Sequence, residues 1–100
     1  MNIFEERNHL TQEIYDFMKA KGSFVDETIT ENTIITAINK NIIGNLRSPN
    51  IQSLKQSNSD EILSAIKTEI YTQSRIEDSY EIDDYSGELK DKIDEVLNDL

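Results

Sequence analysis

The stretch from Glu77 to Glu88 holds the chain's densest set of reactive groups. It contains six carboxylates (Glu77, Asp78, Glu81, Asp83, Asp84 and Glu88), two phenols (Tyr80 and Tyr85) and no base. Carboxylates at this density can ligate a hard cation, exchange protons as an acid–base pair, or attract a cationic partner. The first use fails on spacing. A calcium loop needs oxygen donors at its first, third and fifth positions and glycine at the sixth. Counted from Asp78, those later places fall on Tyr80, Ile82 and Asp83. Counting from Asp83 does no better. The second use lacks support, because nothing beside Glu81 and Asp84 would raise one pKa toward neutrality. Attraction of a cationic partner remains.

The rest of the chain adds no catalytic set. His9 is the only histidine, has no ligand at metal spacing, and falls on the polar half of the first helical pattern. Hydroxyls are common, yet neither a Gly-x-Ser-x-Gly elbow nor a Ser-x-x-Lys pair occurs. The three glycines are isolated, so no loop cradles a phosphate. Cysteine is absent, which excludes disulfides and thiolate metal sites. The expectation is a chain that is not an enzyme and uses no metal and no cofactor.

Charge points the same way. Twenty acids against ten bases leave a net charge of −10. Residues 1–50 hold seven acids and five bases, net −2, whereas residues 51–100 hold thirteen and five, net −8. Such a surface repels nucleic acid and anionic lipid and steers a basic protein toward itself. An even acidic coat would serve solubility alone; the asymmetry favours a dedicated acidic face.

The elements that must position this face read as helices. Ile3, Arg7, Leu10, Ile14, Phe17 and Met18 form a stripe at steps of three and four, predicting a helix over 3–21 that Gly22 ends. Thr28-Ile29-Thr30-Glu31 has the form of a capping box. The stripe Ile34, Ile35, Ile38, Ile42, Ile43 and Leu46 follows it, up to Arg47-Ser48-Pro49. Ser48 and Pro49 can open a short helix carrying Ile51 and Leu54. Ser59 or Asp60 caps the next helix, whose stripe Ile62, Leu63, Ile66 and Ile70 turns polar beyond Ser74. Ser86 caps the last, with Leu89, Ile93, Val96, Leu97 and Leu100 on one face. The sum is all-α: a small antiparallel helical bundle of four main helices plus a short fifth, forming a single domain over 1–100.

The run Ser79-Tyr80-Glu81-Ile82-Asp83-Asp84, with Gly87 and the terminal helix behind it, resembles the colicin D-type immunity proteins. The helix from Asp60-Glu61-Ile62-Leu63 to Ile76 resembles the helix that leads into the same acidic turn. The resemblance covers about forty residues, and the first half of the chain matches in helical character alone. The segment Tyr85-Ser86-Gly87-Glu88 and the first helix are both longer than the family's. What the resemblance implies is a small acidic helical inhibitor of a tRNA-cleaving toxin domain, its acids standing in for tRNA phosphates. Tyr80, Glu81, Asp83 and Asp84 carry over, with Glu77, Asp78 and Glu88 as neighbours. A contact-dependent inhibition system would suit the chain equally well.

The expected function is therefore an immunity protein that occludes a basic ribonuclease toxin, with Tyr80, Ile82 and Tyr85 at the centre of the contact. The expected partner is the toxin's nuclease domain, not nucleic acid and not a membrane. The acids near the N-terminus and the lack of any run of about 20 apolar residues predict a cytoplasmic location. Two other classes fit the same charge: a phage-encoded nucleic-acid mimic that blocks a host nuclease, and a non-enzymatic helical adaptor.

Overall fold

A computed structural model describes residues 1–22, 29–74 and 82–100. The described residues form four α-helices: α1 (Ile3–Ala20), α2 (Glu31–Ile38), α3 (Ser59–Ser74) and α4 (Ser86–Asp99). A π-turn over Asn39–Ile43 extends α2, and a lone 3-10 turn (Leu54–Gln56) lies between α2 and α3. Each helix packs on two neighbours, α1 on α2 and α4, and α3 on α2 and α4. The cross-links show the neighbours to be antiparallel. Arg7, early in α1, donates to Asn39 just past the end of α2. Lys92 reaches Glu13 at 3.2 Å while Glu88 pairs with Lys21, so α4 runs back along α1. Thr33 meets Gln73, and Lys40 meets Glu69, along α2 and α3.

Local chemistry explains where each helix begins. Asn2 Oδ1 accepts from the Phe4 and Glu5 amides at 3.0 and 2.9 Å, and Glu5 accepts from the Asn2 amide in return. This is a complete capping box. The α2 cap is Thr30, whose amide donates to Thr33 Oγ1 at 3.2 Å. Ile29 and Ile34, at the two staple positions around that cap, are both fully buried. Thr28, the cap expected from the sequence, lies outside the described residues. Asn58 rather than Ser59 or Asp60 caps α3, its Oδ1 accepting from the Glu61 amide at 2.8 Å. Tyr85 occupies the cap position of α4, one residue before the serine that the sequence pointed to.

The second helix is shorter than its stripe. The Gly44 amide donates to Asn39 O at 2.9 Å, which closes the wide π-turn, and Gly44 then leaves the helix at φ 79 and ψ −126. Ile42 and Ile43 both turn inward, whereas Leu46 is exposed. Only glycine enters that region without strain. A Cβ at Gly44 would also sit 2.2 Å from Asn50 Nδ2. Rotation of Asn50 can relieve the clash but not the backbone strain. Gly44→Ala is expected to destabilise the chain by about 1–3 kcal/mol, seen as a lower urea midpoint at unchanged slope.

Ser48 and Pro49 open no helix. The chain instead stays irregular until Ser53, whose side chain accepts from the Lys55 amide and starts the 3-10 turn. A carboxylate from the first helix holds this turn in place. Glu6 is buried at 6 % exposure, with Oε1 accepting from the Leu54 amide at 2.9 Å and Oε2 from Ser53 Oγ at 3.1 Å. Leu54, fully buried, thereby fills the core between α1 and α4.

Beyond this polar latch the core is mostly aliphatic. Leu10, Ile14, Met18, Ile34, Ile38, Ile62, Ile66, Ile70, Leu89 and Ile93 are all shielded. One polar network borders it. Glu69 is 4 % exposed and takes Lys40 Nζ at 3.2 Å on one oxygen and Gln73 Nε2 at 3.1 Å on the other. Gln73 in turn accepts from Thr33 at 3.0 Å. Both oxygens of Glu69 thus have a donor, which is the condition for placing a carboxylate there.

Candidate functional site

The described part of the predicted acidic face lies at the start of α4. Glu77, Asp78, Tyr80 and Glu81 lie outside the described residues. Asp83, Asp84, Tyr85 and Glu88 are described, and they separate into two groups. Asp83, Asp84 and Glu88 are exposed, whereas Tyr85 is only 8 % exposed.

The backbone explains the split. Ile82 is fully buried, and the Tyr85 amide closes a turn onto Ile82 O at 3.1 Å. The two flanking side chains point inward, and the two aspartates between them face out. Tyr85 packs on Phe17, with ring centroids 6.1 Å apart and planes tilted by 58°. Ile82 and Tyr85 therefore belong to the core and do not offer the contact area expected of them from the sequence. Packing the Tyr85 ring against Phe17 is worth more than leaving it in water.

Each exposed carboxylate sits in a different field. Asp83 Oδ1 accepts from Lys67 Nζ at 2.6 Å, with the aspartate side chain 52 % exposed. Glu88 pairs with Lys21, whose ammonium also lies 5.4 Å from the centre of the Phe17 ring. Asp84 has no ion pair among the described residues. Pairs this exposed contribute about 0–1 kcal/mol and weaken in salt; with Lys67 on Asp83 and Lys21 on Glu88, the uncompensated charge among these three described carboxylates is that of Asp84. One lysine is perturbed elsewhere on the surface: the hydrogen bond from Lys92 to Glu13 raises that ammonium above its usual range, against a smaller desolvation that lowers it and with the Glu13 charge adding to the rise.

Two further residues of this corner carry no signal in the acidic run. Tyr71 is 58 % exposed, a large aromatic ring left in solvent. With Lys67, Thr68 and Asp83 it lines a shallow depression of about 270 Å³. Lys67 and Tyr71 stand four apart on α3 and so share a face. The one hint in the sequence is that Tyr71 follows Ile70 on the wrong side of the apolar stripe. A second depression, of about 400 Å³, lies beside the start of α3 and is lined by Asn41, Asp60, Glu61 and Ser64 among others. His9 is exposed on α1, far in sequence from these groups.

Among the described residues, no set of His, Cys, Asp and Glu side chains is arranged to hold a metal ion. None of their helices is long and apolar enough to cross a membrane. No family model matches this chain, and no curated protein or solved structure is significantly similar to it.

Proposed function

We propose that this chain is an immunity protein that binds a basic ribonuclease toxin, a tRNA-cleaving one by preference, and blocks its active-site groove. The observation that carries the reading is the exposure of three carboxylates within six residues, Asp83, Asp84 and Glu88, in a chain of net charge −10. A nuclease groove is built to attract phosphates, so it presents cations at intervals that a row of carboxylates can meet. The resemblance of the last forty or so residues, from Asp60 through the terminal helix, to colicin D-type inhibitors points to the same partner, without a family match behind it. Binding at this corner needs no movement of the core, because the three carboxylates already face solvent.

The test is a tRNA-cleavage assay with whatever C-terminal domain is encoded immediately upstream of this gene. Cleavage is expected in its absence and suppression at one equivalent of this protein. A neighbouring domain that cuts tRNA unhindered, or is no nuclease, overturns the reading.

A further inference from the structure

The depression between α3 and the start of the acidic corner combines features that neither the net charge nor the carboxylate cluster contains. One side is lined by an aromatic ring, Tyr71, at 58 % exposure. Another is lined by a carboxylate, Asp83, more than half exposed and holding a lysine of its own chain at 2.6 Å. Tyrosine rings left in water are favoured where a partner covers them. The ring's negative face and the carboxylate both favour a cation. Lys67, one turn before Tyr71, shows that a cation is welcome at Asp83. The pair is close, but it borders solvent on the aspartate side, where the side chain is 52 % exposed, so an incoming cation can compete for the carboxylate.

We infer that this depression is a receptor for one arginine side chain of the basic partner, with the guanidinium stacked on Tyr71 and its edge bonded to Asp83 in place of Lys67. A guanidinium suits the site better than an ammonium. It is planar, so it lies flat on a ring while its edge reaches a carboxylate, and it is more weakly hydrated. Lys67 then acts as an internal competitor that keeps the site neutral until the partner arrives. The larger depression beside Asp60 and Glu61 has acids but no exposed ring among its described lining residues, and so no described stacking surface.

The identity of the partner rests on the immunity reading, but the site itself is tested without it. The full chain is titrated with the blocked tripeptide acetyl-Gly-Arg-Gly-amide at low salt, following the Tyr71 ring and the Asp83 amide by NMR. Saturable shifts at both are expected, with the lysine analogue binding more weakly. Tyr71→Ala and Asp83→Asn should each weaken the peptide by about 3-fold or more, the size of an exposed cation–π or ion-pair contact. Tyr71→Phe should retain binding, since the ring face remains. Lys67→Gln should tighten binding, because it removes the competitor. None of these positions lies in the core, so circular dichroism should stay that of the parent. Peptide shifts that are absent, or that survive Tyr71→Ala, or Lys67→Gln that weakens binding, would overturn the inference. A failed nuclease assay with intact peptide binding would instead remove the toxin as partner and leave the arginine site standing.

Discussion

Replacing Asp83 and Asp84 together by lysine is expected to abolish inhibition of the toxin while leaving the helical content and melting temperature close to those of the parent. Each replacement changes the local charge by two, and both residues face solvent. The ammoniums introduced at positions 83 and 84 would stand against the cations of the proposed toxin groove, where carboxylates stood before. Like-charge contacts of this kind, added to the loss of the original pairs, should cost the complex at least about 4 kcal/mol, roughly a thousand-fold in affinity. The fold loses one surface pair, worth about 0–1 kcal/mol, and gains an exposed like-charge contact at Lys67 of similar size. Full inhibition retained by the double variant in the tRNA-cleavage assay would remove this corner from the interface. A collapse of the circular dichroism signal would show instead that the corner is structural.

The second large effect is on stability and arises far from the acidic corner. Glu6→Ala should lower stability by about 2–3 kcal/mol, because it strands the buried Leu54 amide and frees Ser53. For a domain of this size that corresponds to a fall in Tm of roughly 10–20 °C. Glu6→Gln is a useful companion. Its amide keeps one acceptor oxygen, so it should recover part of the loss while giving up the charge-assisted bond. Equal damage from both variants would mean that the charge, rather than the accepting geometry, holds the turn. Little damage from either would mean that the 3-10 turn stands without α1.

These two cases also mark how far the residues alone can be read. The stripes Leu10–Ile14–Met18, Ile34–Ile38, Ile62–Ile66–Ile70 and Leu89–Ile93 are all buried, so periodicity locates the four helices and their inner faces. Glu6 escapes that logic. A carboxylate in the first turn of a helix ordinarily faces water, and its two partners lie 47 and 48 residues away. The end of α2 is misplaced by its stripe, since Leu46 continues the pattern in register while Gly44 breaks the backbone beneath it. The direction of Ile82 and Tyr85 is hidden for another reason. Between α3 and α4 no repeating pattern says which side chains face in, so an apolar residue among acids could belong to a core or to a contact surface. Tyr71 lies one position off the stripe of α3, which reads as surface but not as a site. Net charge suggests a kind of partner; only the folded chain can pair Asp83 with Lys67 and leave Asp84 open.

Ile82 and Tyr85 bracket the two aspartates, and both are locked into the core. The consequence is kinetic as much as energetic. A loop that must freeze on binding gives up about 1–2 kcal/mol of backbone entropy per residue, but a segment anchored on both sides has already lost that freedom on folding. Asp83 and Asp84 have only their own rotamers left to settle. Capture of a basic surface by this corner should therefore proceed without a slow rearrangement, at a rate governed by long-range attraction and falling steeply as salt is added. The lifetime of the complex, set by contacts already formed, should respond to salt far less.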